Sequence, residues 1–248
     1  RQLSVITLLK ESSKSLIQEE EMKKMVFERL NTGGVTLEDQ EIRNALYNGP
    51  FNELCISLSS NDIFRKLWLI NPDDIDVYDE ELDNYDDALK YAKNKLYKRM
   101  YDVELVLRYF AMRHIDEYSG KLSEFMDLCL RQGNRYTDDQ LEILRKVFEE
   151  TIEKANMLFG EKAYCQYVKR RGIYSWTSPQ KMIYDSIMLA LSQIEVSQRR
   201  IDSNRNVEKL ENFYKENEES FDGKRQSKGD IKRRTELFIS FITEEILG

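Results

Sequence analysis

The sequence predicts a mainly α-helical protein, on three observations. Only three Pro and ten Gly occur in 248 residues while Leu, Glu, Lys and Ile abound, a balance that disfavours many-turned β architectures. Long segments repeat apolar residues at three- and four-residue steps, the period of one helix face. Several of these segments also open on a capping residue and close on glycine. The length suffices for one sizeable core or two modest ones.

The elements follow in order. Leu3–Leu9, "LSVITLL", is too short for periodicity to separate a buried strand from a helix start. Ile17–Leu30 reads as a helix through Met22, Met25, Val26 and Leu30, stopped by Asn31-Thr32-Gly33-Gly34, whose glycines supply left-handed backbone. A new helix is predicted from Thr36, with Asp39 answering the cap three residues on. Asn71–Asp87, "NPDDIDVYDEELDNYDD", holds nine acidic residues and no basic one; it reads as a solvated loop, and its spacing fits no calcium loop.

Lys95–Tyr118 gives the strongest helical signal. Leu96, Met100, Val103, Leu107, Phe110 and His114 fall on one stripe, and Leu105, Tyr109 and Met112 face the other way. A helix apolar nearly all round is central, so Arg99, Asp102, Glu104 and Arg108 require partners and read as structural polar residues. Glu104 and Arg108, four apart, are expected to pair, and Asp102 is expected to pair with Arg43 or Arg99. Thr137 and Gln140 form a capping box before Leu141, Leu144, Phe148, Ile152, Ala155 and Phe159, with Gly160 as the stop. Ser178-Pro179 reads as N-cap and N1 of a helix through Ile183, Ile187, Ala190 and Ile194. Further helices are predicted around Val207–Phe221 and Ile231–Leu247.

Absences exclude much chemistry. The one histidine, His114, falls on the apolar stripe and reads as a core residue, which removes zinc sites, H-N-H-type nuclease centres and a serine triad. No G-x-x-x-x-G-K-[ST] occurs, so there is no Walker loop. Cys55, Cys129 and Cys165 are odd in number and widely spaced, which suits reduced core thiols and a cytoplasmic setting. No run approaches the ~18 consecutive apolar residues of a membrane span. Residue 1 is Arg rather than Met and no secretory signal is present, as in a chain that begins inside a larger fold. The net charge of −7 opposes indiscriminate nucleic-acid binding and leaves room for local basic patches.

What remains is polar and concentrated. Arg29, Asn31, Thr32, Gly33, Gly34, Gln40, Glu41, Arg43 and Asn44 lie within sixteen residues. Backbone amides around Gly33-Gly34 and a following helix start suit an anion, and Arg29 and Arg43 suit phosphate oxygens. A plain helix corner with an Arg29–Glu41 ion pair is the alternative. Two stretches mix cations with aromatic or turn residues. In Glu161–Trp176, "EKAYCQYVKRRGIYSW", Lys169, Arg170 and Arg171 stand among tyrosines and Trp176; Asp222–Arg234, "DGKRQSKGDIKRR", carries Lys224, Arg225 and Lys228 among six basic residues. Phosphate contact with base stacking uses such a mixture, and a solvated charged face has the same composition.

These residues resemble a family. "VFERLNTGGVTLEDQEIRNALYNGPFNEL" (Val26–Leu54) is similar to the F-x-R-L-N-T-G-G-x-x-L-x-x-Q-E-I-R-N-A-L segment of the GmrS-like domain, the N-terminal part of GmrSD-type modification-dependent restriction enzymes. "KRMYDVELVLRYFAMRH" (Lys98–His114) resembles its K-R-M-x-D-x-E-L-V-L-R-F-F-A helix, and "ANMLFGEKAY" (Ala155–Tyr164) its F-G-x-x-A-F element. The resemblance implies a remnant of a ParB/sulfiredoxin-like α+β core over residues 1–70, an acidic loop over 71–94 and a bundle-like helical domain over 95–248. It implies an NTP, with Mg²⁺, contacted by Arg1, Arg29, Asn31, Thr32, Gly33, Gly34, Glu41 and Arg43. It implies DNA, modified phage DNA included, met by the later basic stretches, in a phage-defence system whose nuclease is another domain or subunit; a second copy of the chain is a further candidate partner. The family's D-G-Q-Q-R-L-[TS] signature is matched only at its tail by Arg1–Ile6, "RQLSVI". A ParB-like protein-interaction module that has lost nucleotide chemistry is therefore the alternative reading.

Overall fold

The computed structural model describes residues 37–72, 91, 93–196, 201–223 and 227–248. The predicted elements before residue 37, the acidic stretch from residue 73, and Lys224 and Arg225 lie outside them. Ten α-helices and one two-stranded sheet follow one another among the described residues, so the mainly α expectation holds. The helices are α1 (Asp39–Leu46), α2 (Pro50–Ser59), α3 (Asp62–Leu67), α4 (Lys95–Lys98), α5 (Tyr101–Met112), α6 (Leu122–Gly133), α7 (Asp138–Phe159), α8 (Lys181–Leu191), α9 (Ser203–Glu216) and α10 (Lys228–Ser240). The strands β1 (Tyr167–Arg170) and β2 (Ile173–Trp176) sit between α7 and α8.

Helix starts follow local chemistry, with two corrections. Thr36 lies outside the described residues; α1 begins at Asp39, and the Glu41 carboxylate accepts the N–H of the N-cap Glu38 at 2.8 Å. The Ser178-Pro179 start gives way to Gln180 as N-cap, so α8 begins at Lys181. The Thr137–Gln140 box forms as expected, and Gly160 ends α7 with φ +51°, a conformation that disfavours any side chain. Asn134 supplies a cap that local sequence does not reveal. From the end of α6, its Oδ1 accepts the Phe51 and Asn52 N–H groups while its Nδ2 donates to the Tyr47 carbonyl, closing the start of α2.

The predicted Lys95–Tyr118 helix is broken. Met100 adopts left-handed φ 55°, separating α4 from α5, and α5 stops at Met112. Its central placement is as expected: Asp102–Leu107 and Tyr109–Met112 are buried, against α2, α6 and α8. His114 is not on that buried face. It lies past the helix end with a side chain 53% exposed, so the core-histidine reading is corrected by the earlier stop of α5.

One apolar core runs through the described residues from Tyr47 to Ile242, so the described part of 1–70 is helical and packs into the same core as 95–248. Its centre is aromatic. Phe64 meets Phe148 and Tyr184, and Trp68 meets Tyr164 and Tyr184, with centroids 5.2–6.5 Å apart. Each such ring contributes roughly 1.5–3 kcal/mol by burial. Gly133 is required by close approach, since a Cβ there would fall 2.2 Å from the Phe51 ring. Cys55 and Cys165 are buried free thiols and Cys129 is half-buried.

Candidate functional site

Two polar regions contain the predicted site residues that the structure describes, Lys228 excepted. The first is an ionic junction of α1, α5, α6 and α8. Helix α1 is amphipathic, and its inward face carries Gln40, Ile42 and Arg43. Arg43 is only 2% exposed, yet its guanidinium is satisfied on every side. Nε donates to Asp127 at 2.7 Å, Nη1 lies 3.4 Å from Glu104 and 3.5 Å from Gln40, and Nη2 donates to the Ser123 hydroxyl at 2.7 Å and carbonyl at 3.3 Å. Asp39 adds a longer contact at 3.7 Å.

The cavity beside Arg43, about 250 Å³, is lined by Asp39, Glu124 and Asp127 among others. A phosphate entering it would meet three carboxylates, the exposed Lys121 at its edge, and an arginine already neutralised. Arg43 is on this geometry a structural arginine rather than the expected phosphate ligand. Glu41 is engaged too: it accepts the Glu38 amide and lies 3.4 Å from Arg99. Arg1, Arg29, Asn31, Thr32, Gly33 and Gly34 lie outside the described residues.

The expected pairings on α5 are redistributed. Glu104 pairs with Arg43 and with Lys181, whose Nζ is 2.8 Å away, instead of with Arg108. Arg108 forms a bidentate pair with Asp185, both contacts at 2.6 Å. Burial works against the Arg108 charge, but Asp185 outweighs it and raises the pKa. Asp102 pairs with neither Arg43 nor Arg99; its carboxylate accepts the Val103 N–H at 2.9 Å and faces the charge of Arg65. With Asp102 and Glu104 committed to different partners, the two do not form a shared metal site. The solvent side of the junction presents Arg99, 31% exposed, and Lys181, 43% exposed. Lys181 lies 5.2 Å from the Tyr101 ring centre, and the Tyr101 hydroxyl is raised in pKa chiefly by its hydrogen bond to Glu38. Neither Lys181 nor Tyr101 was singled out from sequence, because only tertiary packing brings α8 to α5.

The second region is the β1–β2 hairpin, where the basic-aromatic stretch forms two paired strands. The pairing Tyr167↔Trp176, Lys169↔Tyr174 and Arg170↔Ile173 leaves Arg171-Gly172 as a two-residue turn. Both turn residues have positive φ, 51° and 87°, the conformation that matches the twist of paired strands. One face carries Tyr167, Lys169, Tyr174 and Trp176. Those rings are occupied from within. Tyr167 and Tyr174 stack on each other, Lys215 of α9 lies 5.4 and 5.6 Å from them, Tyr174 donates to Glu218 and Trp176 to Glu211. The three rings are half-buried and engaged with one another and with α9, whereas Lys169, Arg170 and Arg171 are exposed.

A groove of about 380 Å³ is lined by the cations Lys169 and Arg170 and by the carboxylates Glu218 and Asp222. Lys228 is turned elsewhere, with its ammonium on the Asp116 carbonyl. No helix among the described residues is long and apolar enough to cross a membrane. Comparison with protein-family models, with curated proteins and with solved structures finds no match to this chain.

Proposed function

We propose that the chain is the DNA-recognising, nucleotide-responsive component of a prokaryotic modification-dependent restriction system whose nuclease lies in another domain or subunit. The observation that carries this reading is the run of exposed cations Lys169, Arg170 and Arg171 at the hairpin, beside a groove that Glu218 and Asp222 also line. A net charge of −7 makes such a local gathering of exposed cations the place where DNA is tolerated. The occupied aromatic face favours contact with phosphates over stacked bases. The nucleotide part of the reading rests on the similarity of Val26–Leu54 and Lys98–His114 to the GmrS-like segments; among the described residues, the exposed cations Lys121 and Lys181 border that junction.

Binding of a fluorescent DNA duplex tests the proposal, with Lys169→Glu/Arg170→Glu/Arg171→Glu as the variant. All three side chains are exposed, so the fold is retained. The expected result is a loss of at least about tenfold in affinity and a log–log salt slope shallower by about 2–3, at roughly 0.9 per lost phosphate contact. Equal binding by wild type and variant would refute the DNA reading. The second reading, an interaction module without nucleotide chemistry, is favoured by the internal commitment of Arg43. Thermal unfolding with ATP and GTP separates the two, because a bound ligand at a hundred times its Kd adds roughly 2.7 kcal/mol of stability.

A further inference from the structure

Between α2, the end of α5, α6 and the start of α7 lies a pocket of about 360 Å³, remote from the hairpin groove in its lining residues. Its volume is in the range of small-molecule sites, roughly 300–1,000 Å³. Phe51 and Phe110 form the floor, with ring centres 5.4 Å apart, and Tyr136 stands edge-on to Phe51 at 6.0 Å. Ile143 forms a lip and is 60% exposed, an unusual position for an isoleucine on an otherwise charged helix. The floor is rigid, since Phe51 is clamped by the close approach of Gly133.

The mouth is polar and cationic. Arg113 lines it and, among the described residues, forms no ion pair with a carboxylate; its guanidinium lies 6.0 Å from the Tyr109 ring centre. His114 also lines the mouth, with Glu117 3.6 Å from its Nδ1, and Arg113 is the cation among the lining residues. Cys129 completes the wall. Burial first, and then Glu117, push its thiol up to about 12, so it stays protonated and acts as an apolar surface, not a nucleophile.

We infer that this pocket binds an aromatic monocarboxylate, with the ring against Phe51, Phe110 and Tyr136 and the carboxylate at the Arg113 guanidinium. Three aromatic side chains favour a flat ring through edge-to-face contacts. An arginine at the mouth favours a carboxylate, with which it forms two parallel hydrogen bonds. The site is independent of the DNA groove, since no lining residue is common to both.

The test uses 3-phenylpropionate on the whole chain, with the isosteric 3-phenylpropanamide as the uncharged control. Binding is followed by the Ile143 methyl resonance and by calorimetry. Saturable binding of the carboxylate is expected, tighter than the amide by about tenfold, which corresponds to about 1.4 kcal/mol. Arg113→Gln, an exposed change that leaves the floor intact, should abolish that preference while leaving the amide unaffected. Ile143→Ser should weaken both ligands alike. Equal affinity for carboxylate and amide, an unaltered preference in Arg113→Gln, or no saturable shift at millimolar ligand would each overturn the inference.

Discussion

Arg43→Ala is expected to lower the stability of the protein by about 3–5 kcal/mol, read as a fall in the urea midpoint at constant slope. The reason is the neighbours it leaves behind. Asp127 and Glu104 are both buried, and Arg43 is their shared cation at 2.7 and 3.4 Å. Lys181 still reaches Glu104, but Asp127 loses the 2.7 Å contact from the guanidinium, and Ser123 loses its donor. Removing one member of a buried ionic group costs far more than the group's net contribution, because the remaining charge is stranded in low dielectric. Arg43→Lys should recover only part of the loss, since an ammonium cannot present the planar fork that reaches Asp127, Glu104 and Ser123 at once. The same variant decides the residue's role. Were Arg43 a phosphate ligand, alanine would leave the midpoint unchanged and weaken nucleotide binding alone.

The contrast between Arg43 and the hairpin shows what could be read in advance. Capping boxes are local, so Thr137–Gln140 and the stop at Gly160 were legible in the residues themselves. The burial of α5 was legible too, because apolar residues all round a helix leave it nowhere but the centre. The partners of its charges were not. Helical spacing put Arg108 beside Glu104, yet Asp185, 77 residues later, takes the arginine in a bidentate pair. An i, i+4 pair is worth about 0.2–0.5 kcal/mol, too little to compete with a buried two-bond partner.

His114 was misplaced for a related reason. The stripe continued past Met112 in sequence, but the chain turned, and periodicity carries no information on where the backbone leaves the helix. The hairpin was hidden by composition. Cations at Lys169–Arg171 masked the alternation of Tyr167, Lys169, Tyr174 and Trp176, although Arg171-Gly172 between aromatic residues was an available turn signal. The exposed cations themselves were visible; that they share a groove with Asp222 and Gly223 required the fold.

Asp102→Asn is expected to raise stability at pH 7 by about 1–2 kcal/mol and to lower it by about 1 kcal/mol at pH 4. Asp102 is 2% exposed, and burial pushes its carboxyl from the ordinary 3.8 to about 6, against the opposing Val103 N–H and the Arg65 charge. A folded value above the unfolded one means that the native state takes up the proton first. The Asp102 contribution is therefore fully favourable below about pH 3.8 and is lost as pH rises through about 6. A difference of about two pH units corresponds to about 3 kcal/mol. Asparagine retains an oxygen for the Val103 N–H but brings an N–H pair that needs an acceptor, which removes about 1 kcal/mol or more from the gain. Urea unfolding of both proteins from pH 4 to 7 checks the sign: the variant should be the less stable at the acid end and overtake the wild type as Asp102 ionises. Parallel curves would mean that the carboxylate is stabilised in the fold as well as it is in water. A variant that gains stability yet loses nucleotide or DNA binding would assign the cost of this buried charge to function, since a group that destabilises its own fold is a mark of a working site.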